Sequence, residues 1–290
     1  MQASQPSVLV IGATGHLGSY VCRLLSQSWQ VFAVARRSVA NIEHALGKDC
    51  GVPLSLTTTS LEDIFAQHRP FACVNCAVAY QHGEPTADIT ATNVELPLQL
   101  VSLAEQYQCA RFVTIDTFFT KQDPRYPYQA SYIASKREVT KQLRAYQGPV
   151  HIINLQLEHM YGPGESTTKF LGAMVAKLKT HEPNIDLTAG EQQRDFIHVS
   201  DVAAAVATVL RAPTLPTIFQ HYEVGTGTTH TIRAVVERLK LLTQSRSQLN
   251  FGALPYREHE LMVSCAHPAP LQALGWKPQY ELEAGLKTLV

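Results

Sequence analysis

The sequence predicts an α/β fold: a Rossmann-type doubly wound parallel sheet with a smaller, partly interleaved C-terminal lobe. Two observations carry this. Short apolar runs alternate with stretches of helical period up to about residue 155, the pattern of strands crossed over by helices. The first run, Ser7–Ile11, ends in a glycine-rich turn that opens an amphipathic helix.

After its serine, that first run is uninterruptedly apolar, as a strand buried on both faces should be. Leu17, Tyr20, Val21, Leu24 and Leu25 then recur at helical spacing. Gln30–Ala35 is a second β-rich run; residues 61–67 read as a helix and 71–78 as a strand. Residues 89–107 are helical, with a bend expected at Pro97, which has no N–H to give. A strand at 111–115, a helix at 131–146 and a strand at 150–155 complete the alternation. Beyond Tyr161 the chain is richer in helix, glycine and proline. Residues 1–160 are read as the Rossmann domain and 161–290 as the smaller lobe, with a strand near 221–224 returning to the first domain.

With 45% hydrophobic residues, 290 residues can bury one large core or two smaller ones. Lys and Arg number 24, as do Asp and Glu, so no basic field offers itself to nucleic acid. An anionic ligand must then be held by a few placed cations. No apolar run approaches the roughly 18 residues of a membrane span, and no charged region precedes the first apolar run. A cytoplasmic protein without membrane contact is expected. Six cysteines fit that compartment as free thiols. Cys73 and Cys76 form a C-x-x-C inside a strand-like run, not at a helix start, so they read as structural cysteines. Among twelve histidines no pair has H-x-x-x-H spacing with a companion acid, so no metal is expected.

The turn Gly12-Ala13-Thr14-Gly15-His16-Leu17-Gly18 carries the first chemistry. Gly12 permits the sharp turn, Gly15 lets the backbone approach a pyrophosphate, and Gly18 lets the helix pack closely on the sheet. The phosphates would sit on free N–H groups at the helix start. Gly12, Thr14, Gly15, His16, Leu17 and Gly18 are thus cofactor-binding candidates, with His16 facing solvent or the phosphates. The second strand ends in Arg36-Arg37 without the acid that would take a ribose 2′-OH. Arginines there suit a 2′-phosphate, so NADPH is expected ahead of NADH; the plain alternative is two solvated arginines.

Tyr132 and Lys136 stand one helical turn apart and share a face. An ammonium beside a phenol lowers its pKa from about 10, which lets the tyrosine exchange a proton with an alkoxide. Thr117 follows the strand at 111–115, at the end where open α/β sheets place ligands.

Together Thr117, Tyr132 and Lys136 resemble the Ser/Thr–Tyr–Lys triad of the extended short-chain dehydrogenase/reductases, the NAD-dependent epimerase/dehydratase family. The resemblance covers nearly the whole chain. It includes the glycine spacing, Asn75-Cys76-Ala77, Asn93, Tyr161-Gly162-Pro163-Gly164, Arg194-Asp195-Phe196-Ile197-His198, Val224-Gly225-Thr226-Gly227 and Leu274-Gly275-Trp276-Lys277-Pro278. It implies a triad of Thr117, Tyr132 and Lys136. Asn75, Ala77 and Asn93 join Tyr132 and Lys136 on the cofactor. It further implies a nucleotide-linked sugar as substrate, and a homodimer through the helices holding Asn93 and Tyr132.

Members of that family that eliminate water follow the catalytic Thr with Asp and Glu; this chain has Phe118 and Phe119, against dehydration. Where members carry Arg and Asn, it has Gln156 and His159. The runs 157–164, Lys169-Phe170, Asp116-Thr117-Phe118 and 190–196 resemble the CDP-abequose synthase-like sugar-nucleotide reductases. That resemblance implies NADPH-dependent reduction of the C4 ketone of a CDP- or dTDP-linked deoxyhexulose in surface-polysaccharide synthesis. Its substrate candidates are Thr117, His159, Lys169, Phe170, Arg194 and Arg257, with the two arginines on the diphosphate. Asp195 is expected to pair locally or cap the following helix. The alternatives are a nucleotide-sugar 4-epimerase with tightly bound NAD and a non-catalytic NADP-binding regulatory protein.

Overall fold

A computed structural model describes residues 5–80 and 86–290. In chain order the first half forms β1 (Ser7–Ile11), α1 (His16–Leu25), β2 (Gln30–Ala35), α2 (Val39–Leu46), β3 (Val52–Ser55), α3 (Leu61–His68) and β4 (Ala72–Asn75). There follow α4 (Thr86–Thr90), a π-helical turn (Ala91–Glu95), α5 (Leu96–Gln106), β5 (Arg111–Thr117), a 3-10 turn (Phe118–Lys121), α6 (Ala130–Arg144) and β6 (His151–Leu157). The second half adds β7 (His159–Tyr161), α7 (Phe170–Lys179), β8 (Asn184–Leu187), β9 (Gln193–His198), α8 (Val199–Arg211) and β10 (Phe219–Val224). It ends with β11 (Thr229–Thr231), α9 (Ile232–Leu242), β12 (Gln248–Phe251), β13 (Val263–Ser264), α10 (Ala269–Gln272) and α11 (Leu282–Lys287).

Seven parallel strands form the main sheet in the order β10-β6-β5-β4-β1-β2-β3. The order reverses between β1 and β4, the crevice where doubly wound sheets bind ligands. Each face buries its own core. Val8, Val10, Val21, Val113 and Val202 lie in one, and Leu9, Ile11, Phe65, Phe112 and Val139 in the other. Successive strand residues thus point to opposite sides, as the pleat requires.

Several elements differ from their sequence reading. The strand expected over 71–78 stops at Asn75, whose side-chain oxygen accepts the Ala77 N–H at 3.1 Å and turns the chain out of the sheet. The helix at 89–107 is broken by the π-helical turn. Pro97 sits in the first turn of α5, and lacking an N–H it cannot bond back into the preceding turn. α2 and β3 had no clear apolar signal: α2 buries only Ile42 and Leu46, and β3 only Ser55. The C-terminal lobe holds two further small sheets, β11-β9-β13 with β7 beside β9, and β12 with β8. These strands are short and pair across long stretches of chain, so local pattern does not show them.

Both the main sheet and its core cross residue 160. α8 packs beside α1, β10 extends the main sheet, and Leu271 and Trp276 join the core under α1. The lobe keeps a separate core of Leu171, Leu178, Phe196, Val236, Leu239 and Leu286.

Asp195 does not cap α8; His198 holds that position and its ring accepts the Ser200 N–H. Fully buried, the Asp195 carboxylate instead accepts the backbone N–H groups of Thr226, Gly227 and Ala266 and the Thr226 hydroxyl at 2.7–3.2 Å. It clasps the turn after β10 and the C-terminal segment to β9. Asp195→Ala would strand four donors that close on a buried carboxylate, and should cost on the order of 3 kcal/mol or more, read as a fall in the urea midpoint.

Candidate active site

The ends of β1, β4 and β5 meet at the sheet's reversal point. The turn after β1 is pressed into place: Gly12 has φ +75°, and a Cβ there would stand 2.8 Å from the Ala77 nitrogen. A Cβ on Gly18 would strike the Gly12 carbonyl oxygen, so α1 packs on its own turn. Gly15 is exposed and has no side chain to cap α1. Among the described residues, the N–H groups of His16, Leu17 and Gly18 find no acceptor. A bare, positive helix end of this kind fits a pyrophosphate. Thr14 lies half-buried in the same turn.

The His16 ring does not face solvent or that helix end. Its Nε2 stands 3.1 Å from the Pro163 carbonyl, which also accepts the Tyr20 hydroxyl at 3.1 Å. Burial and the nearby Lys169 ammonium push its pKa down to about 4. His16 therefore belongs to the seam between α1 and the segment after β7. Arg36 and Arg37 follow β2 directly, are exposed, and have no acid partner among the described residues.

Asn93, expected on the cofactor, is spent on the protein. Its oxygen accepts the Ala79 N–H at 2.9 Å, and its nitrogen donates to the Ala79 carbonyl at 2.8 Å and the Ser135 hydroxyl at 3.1 Å. It ties the chain after β4 to α6.

Thr117 and Tyr132 are both buried, and the Thr117 hydroxyl lies near enough to act on the phenol. Tyr132 also meets the Tyr80 ring, with centroids 4.9 Å apart. Lys136 is buried, and its Nζ donates to the Ile115 carbonyl at 2.8 Å. The expectation that Lys136 depresses the Tyr132 pKa needs correcting. Burial, Tyr80 and Asp116 push the phenol well above its ordinary value, only partly opposed by Thr117. In the chain by itself, burial thus holds Tyr132 in its protonated form.

Around this pair the walls are aromatic. Phe118 and Phe119 stack at 4.4 Å, and Phe119 stands edge-on to Tyr132 at 6.4 Å. Phe118 reaches toward His159 at 6.0 Å. His159 lies 4.9 Å from Phe196 and edge-on to Phe170 at 6.5 Å. Burial, with Arg194 and Lys169 nearby, lowers the His159 pKa to about 3. The ring is thus uncharged at neutral pH. Its Nδ1 is buried and finds no partner among the described residues.

The expected cations differ in availability. Arg194 is buried and faces Glu260 at 3.4 Å, so its charge is largely offset. Arg257 is exposed, 4.2 Å over the Tyr128 ring, and its charge acts on Tyr126. Lys169 stands 5.4 Å over the Tyr80 ring, within electrostatic reach of both His16 and His159. It bridges the glycine turn and the aromatic walls.

The sequence reading missed Tyr80, Tyr126, Tyr128, Glu260 and Asp116. The closely spaced tyrosines at 126, 128 and 132, and an acid immediately before Thr117, were the available signals. The C-x-x-C thiols are not a redox pair: burial holds Cys73 well above the ordinary thiol range and pushes Cys76 up to about 12.

Two buried imidazoles make a pH prediction. Between pH 6.5 and about 4, His16 and His159 stay neutral in the folded chain while they charge in the unfolded one. They therefore lower stability as pH falls through that window. Glu165, raised to about 7 by burial, acts oppositely, so the test is a difference. His159→Gln should lose less stability than the parent between those pH values in chemical denaturation; equal losses would refute a neutral His159.

Three kinds of similarity bear on this site. Residues 8–225 match the model of the NAD-dependent epimerase/dehydratase family. The chain is 31% identical to a CDP-abequose synthase of Salmonella typhimurium, covering 98% of this chain and 97% of that protein. It is 30% identical to the CDP-abequose synthase of Salmonella muenchen, covering 98% and 96%. Its fold superposes on a UDP-glucose 4-epimerase from Thermotoga maritima with UDP-glucose (TM-score 0.80, 21% identity, 97% and 96% covered). It does so equally on the Thermus thermophilus UDP-glucose 4-epimerase complex with NAD (TM-score 0.79, 22% identity, 97% of both chains). With the glycine turn and the Thr117–Tyr132 pair in place, the chain is an enzyme of the NAD-dependent epimerase/dehydratase family.

Proposed function

We propose that this enzyme uses NADPH to reduce the C4 ketone of a nucleotide-linked deoxyhexulose, in surface-polysaccharide sugar synthesis. The observation that carries the reading is the buried Thr117–Tyr132 pair, a protonated phenol at a strand end, walled by Phe118 and Phe119. A wall without acids favours adding hydrogen to a ketone over expelling water. The two relatives named CDP-abequose synthase favour a CDP-linked sugar, with a dTDP-linked one as the other choice.

The backbone of Gly12, Thr14, Gly15, His16, Leu17 and Gly18 would hold the cofactor pyrophosphate, and Arg36 and Arg37 the 2′-phosphate. Asn75 and Ala77 would line the same crevice, and Lys136 would stand below the nicotinamide ribose. The cofactor, when bound, supplies the hydride. The chain does the rest. Thr117 and Tyr132 hydrogen-bond the ketone oxygen, and Tyr132 gives its proton to the alkoxide as the C–H bond forms. Lys169 and Arg257 would counter the sugar diphosphate, with Arg194 behind them paired to Glu260, while His159 and Phe170 would border the sugar. We further read the protein as a cytoplasmic homodimer joined through α5 and α6, which light scattering would check.

A panel of CDP-, dTDP-, UDP- and GDP-linked 4-keto sugars, followed by NADPH absorbance, tests the reading. One NADPH should disappear per product; isomerisation without net consumption would make the enzyme an epimerase instead. Tyr132→Phe should lower turnover by about 100-fold or more with NADPH affinity nearly unchanged, and near-full activity would overturn the assignment. Replacing Arg36 and Arg37 by Ser should weaken NADPH by about tenfold or more while sparing NADH; a parent that binds NADH more tightly would refute the cofactor choice.

A further inference from the structure

Beneath α6, one face of the sheet carries a run of polar side chains, and three of them form a chain of contacts. Asp116 stands on β5, Asn154 on β6 and His221 on β10, the last two direct neighbours in register. Asp116 is buried. Its carboxylate accepts the Thr117 N–H at 2.8 Å, the Asn154 amide at 3.2 Å and the Thr140 hydroxyl at 3.4 Å. The Asn154 nitrogen also stands 3.1 Å from His221 Nδ1.

Lys136 and Thr140 are one turn apart on α6 and share a face. The Lys136 ammonium is held on the Ile115 carbonyl, in the peptide that begins Asp116, and the two charges act on each other. Among the described residues neither makes a direct ion pair, and the chief opposite charge acting on each is the other. A buried ion left without its partner is costly, so the carboxylate and the ammonium depend on each other.

We infer that Asp116 is a positioning residue for the proposed reaction: its carboxylate fixes the charge and place of the Lys136 ammonium beneath Tyr132. This rests on the roles given to Tyr132 and Lys136 above.

The sign of its effect follows from the surroundings. Burial lowers the Lys136 pKa, and Asp116 raises it, with the Cys76 thiol the other titratable neighbour. Asp116 also raises the Tyr132 phenol. His221 faces Asp116, and Glu223, Arg144 and Lys121 surround that imidazole. Removing the charge of Asp116 therefore moves both Lys136 and Tyr132 toward lower pH.

Asp116→Asn keeps the shape and removes the charge. NADPH affinity is titrated by fluorescence from about pH 6 to about pH 10, and turnover is followed over the same range with whichever sugar of the panel reacts. In the variant, both should fall off about one pH unit lower than in the parent. Thr140→Val removes a hydroxyl from the same carboxylate without changing charge, and should leave the fall-off in place. An unmoved alkaline limb in folded Asp116→Asn overturns the inference. Should that variant not fold, Asp116→Ser is read the same way; if neither folds, Asp116 serves the fold and the inference is overturned. Tyr132→Phe separates the two ideas. Retained turnover there overturns the reductase reading, whereas an inactive Tyr132→Phe beside an unmoved Asp116→Asn limb overturns this inference alone.

Discussion

The contact on which the site depends is the Lys136 ammonium bonded to the Ile115 carbonyl. It fastens α6 to the end of β5 in a place water does not reach. Buried charge is costly unless paired and hydrogen-bonded, so this side chain has few positions open to it. Because Tyr132 lies one turn back on the same helix, fixing Lys136 also fixes the phenol against Thr117. Ser135, between them, is held by Asn93, so the chain after β4 is tied into the same arrangement. Three segments distant in sequence thereby meet at one strand end.

Charge in this protein is local rather than global. The chain is neutral overall, and burial keeps the imidazoles and the phenol of the site uncharged while Lys136 and Asp116 carry opposite charges beside it. His16 and His159 stay neutral, and the phenol stays protonated. Arg194 is offset by Glu260, whereas Lys169 and Arg257, beside the aromatic walls, have no ion-pair partner among the described residues. An aromatic lining with two cations at its margin suits a ligand with an apolar portion and a charged linker. It is less suited to a ligand hydroxylated all round, since Phe118 and Phe119 give hydroxyls nothing to bond.

Much of the fold was legible because its signals are local. The glycine turn, β1 and α1 are adjacent in sequence, and each constrains the next through backbone geometry. The helix carrying Tyr132 and Lys136 could be read from one turn of spacing. Other features were not legible because their causes are distant. The π-helical turn before α5 comes from Pro97, whose effect reaches back a full turn. The small sheets of the lobe pair short strands across long loops. Asn93 could be picked out as important, but not as a tie between Ala79 and Ser135, since its partners come from other elements.

By itself the sequence determined the parallel sheet, the bare helix end after β1, the exposed arginines after β2, and the spacing of Tyr132 and Lys136. All of these follow from backbone preference and periodicity over a few residues. Tertiary structure alone decided the protonation states and the partners. How strongly Tyr132 holds its proton, which cations are offset, where His16 turns, and that Asp195 clasps a turn instead of capping a helix depend on burial and on groups far along the chain. Desolvation and hydrogen bonding act through space, and only the folded chain brings those groups together.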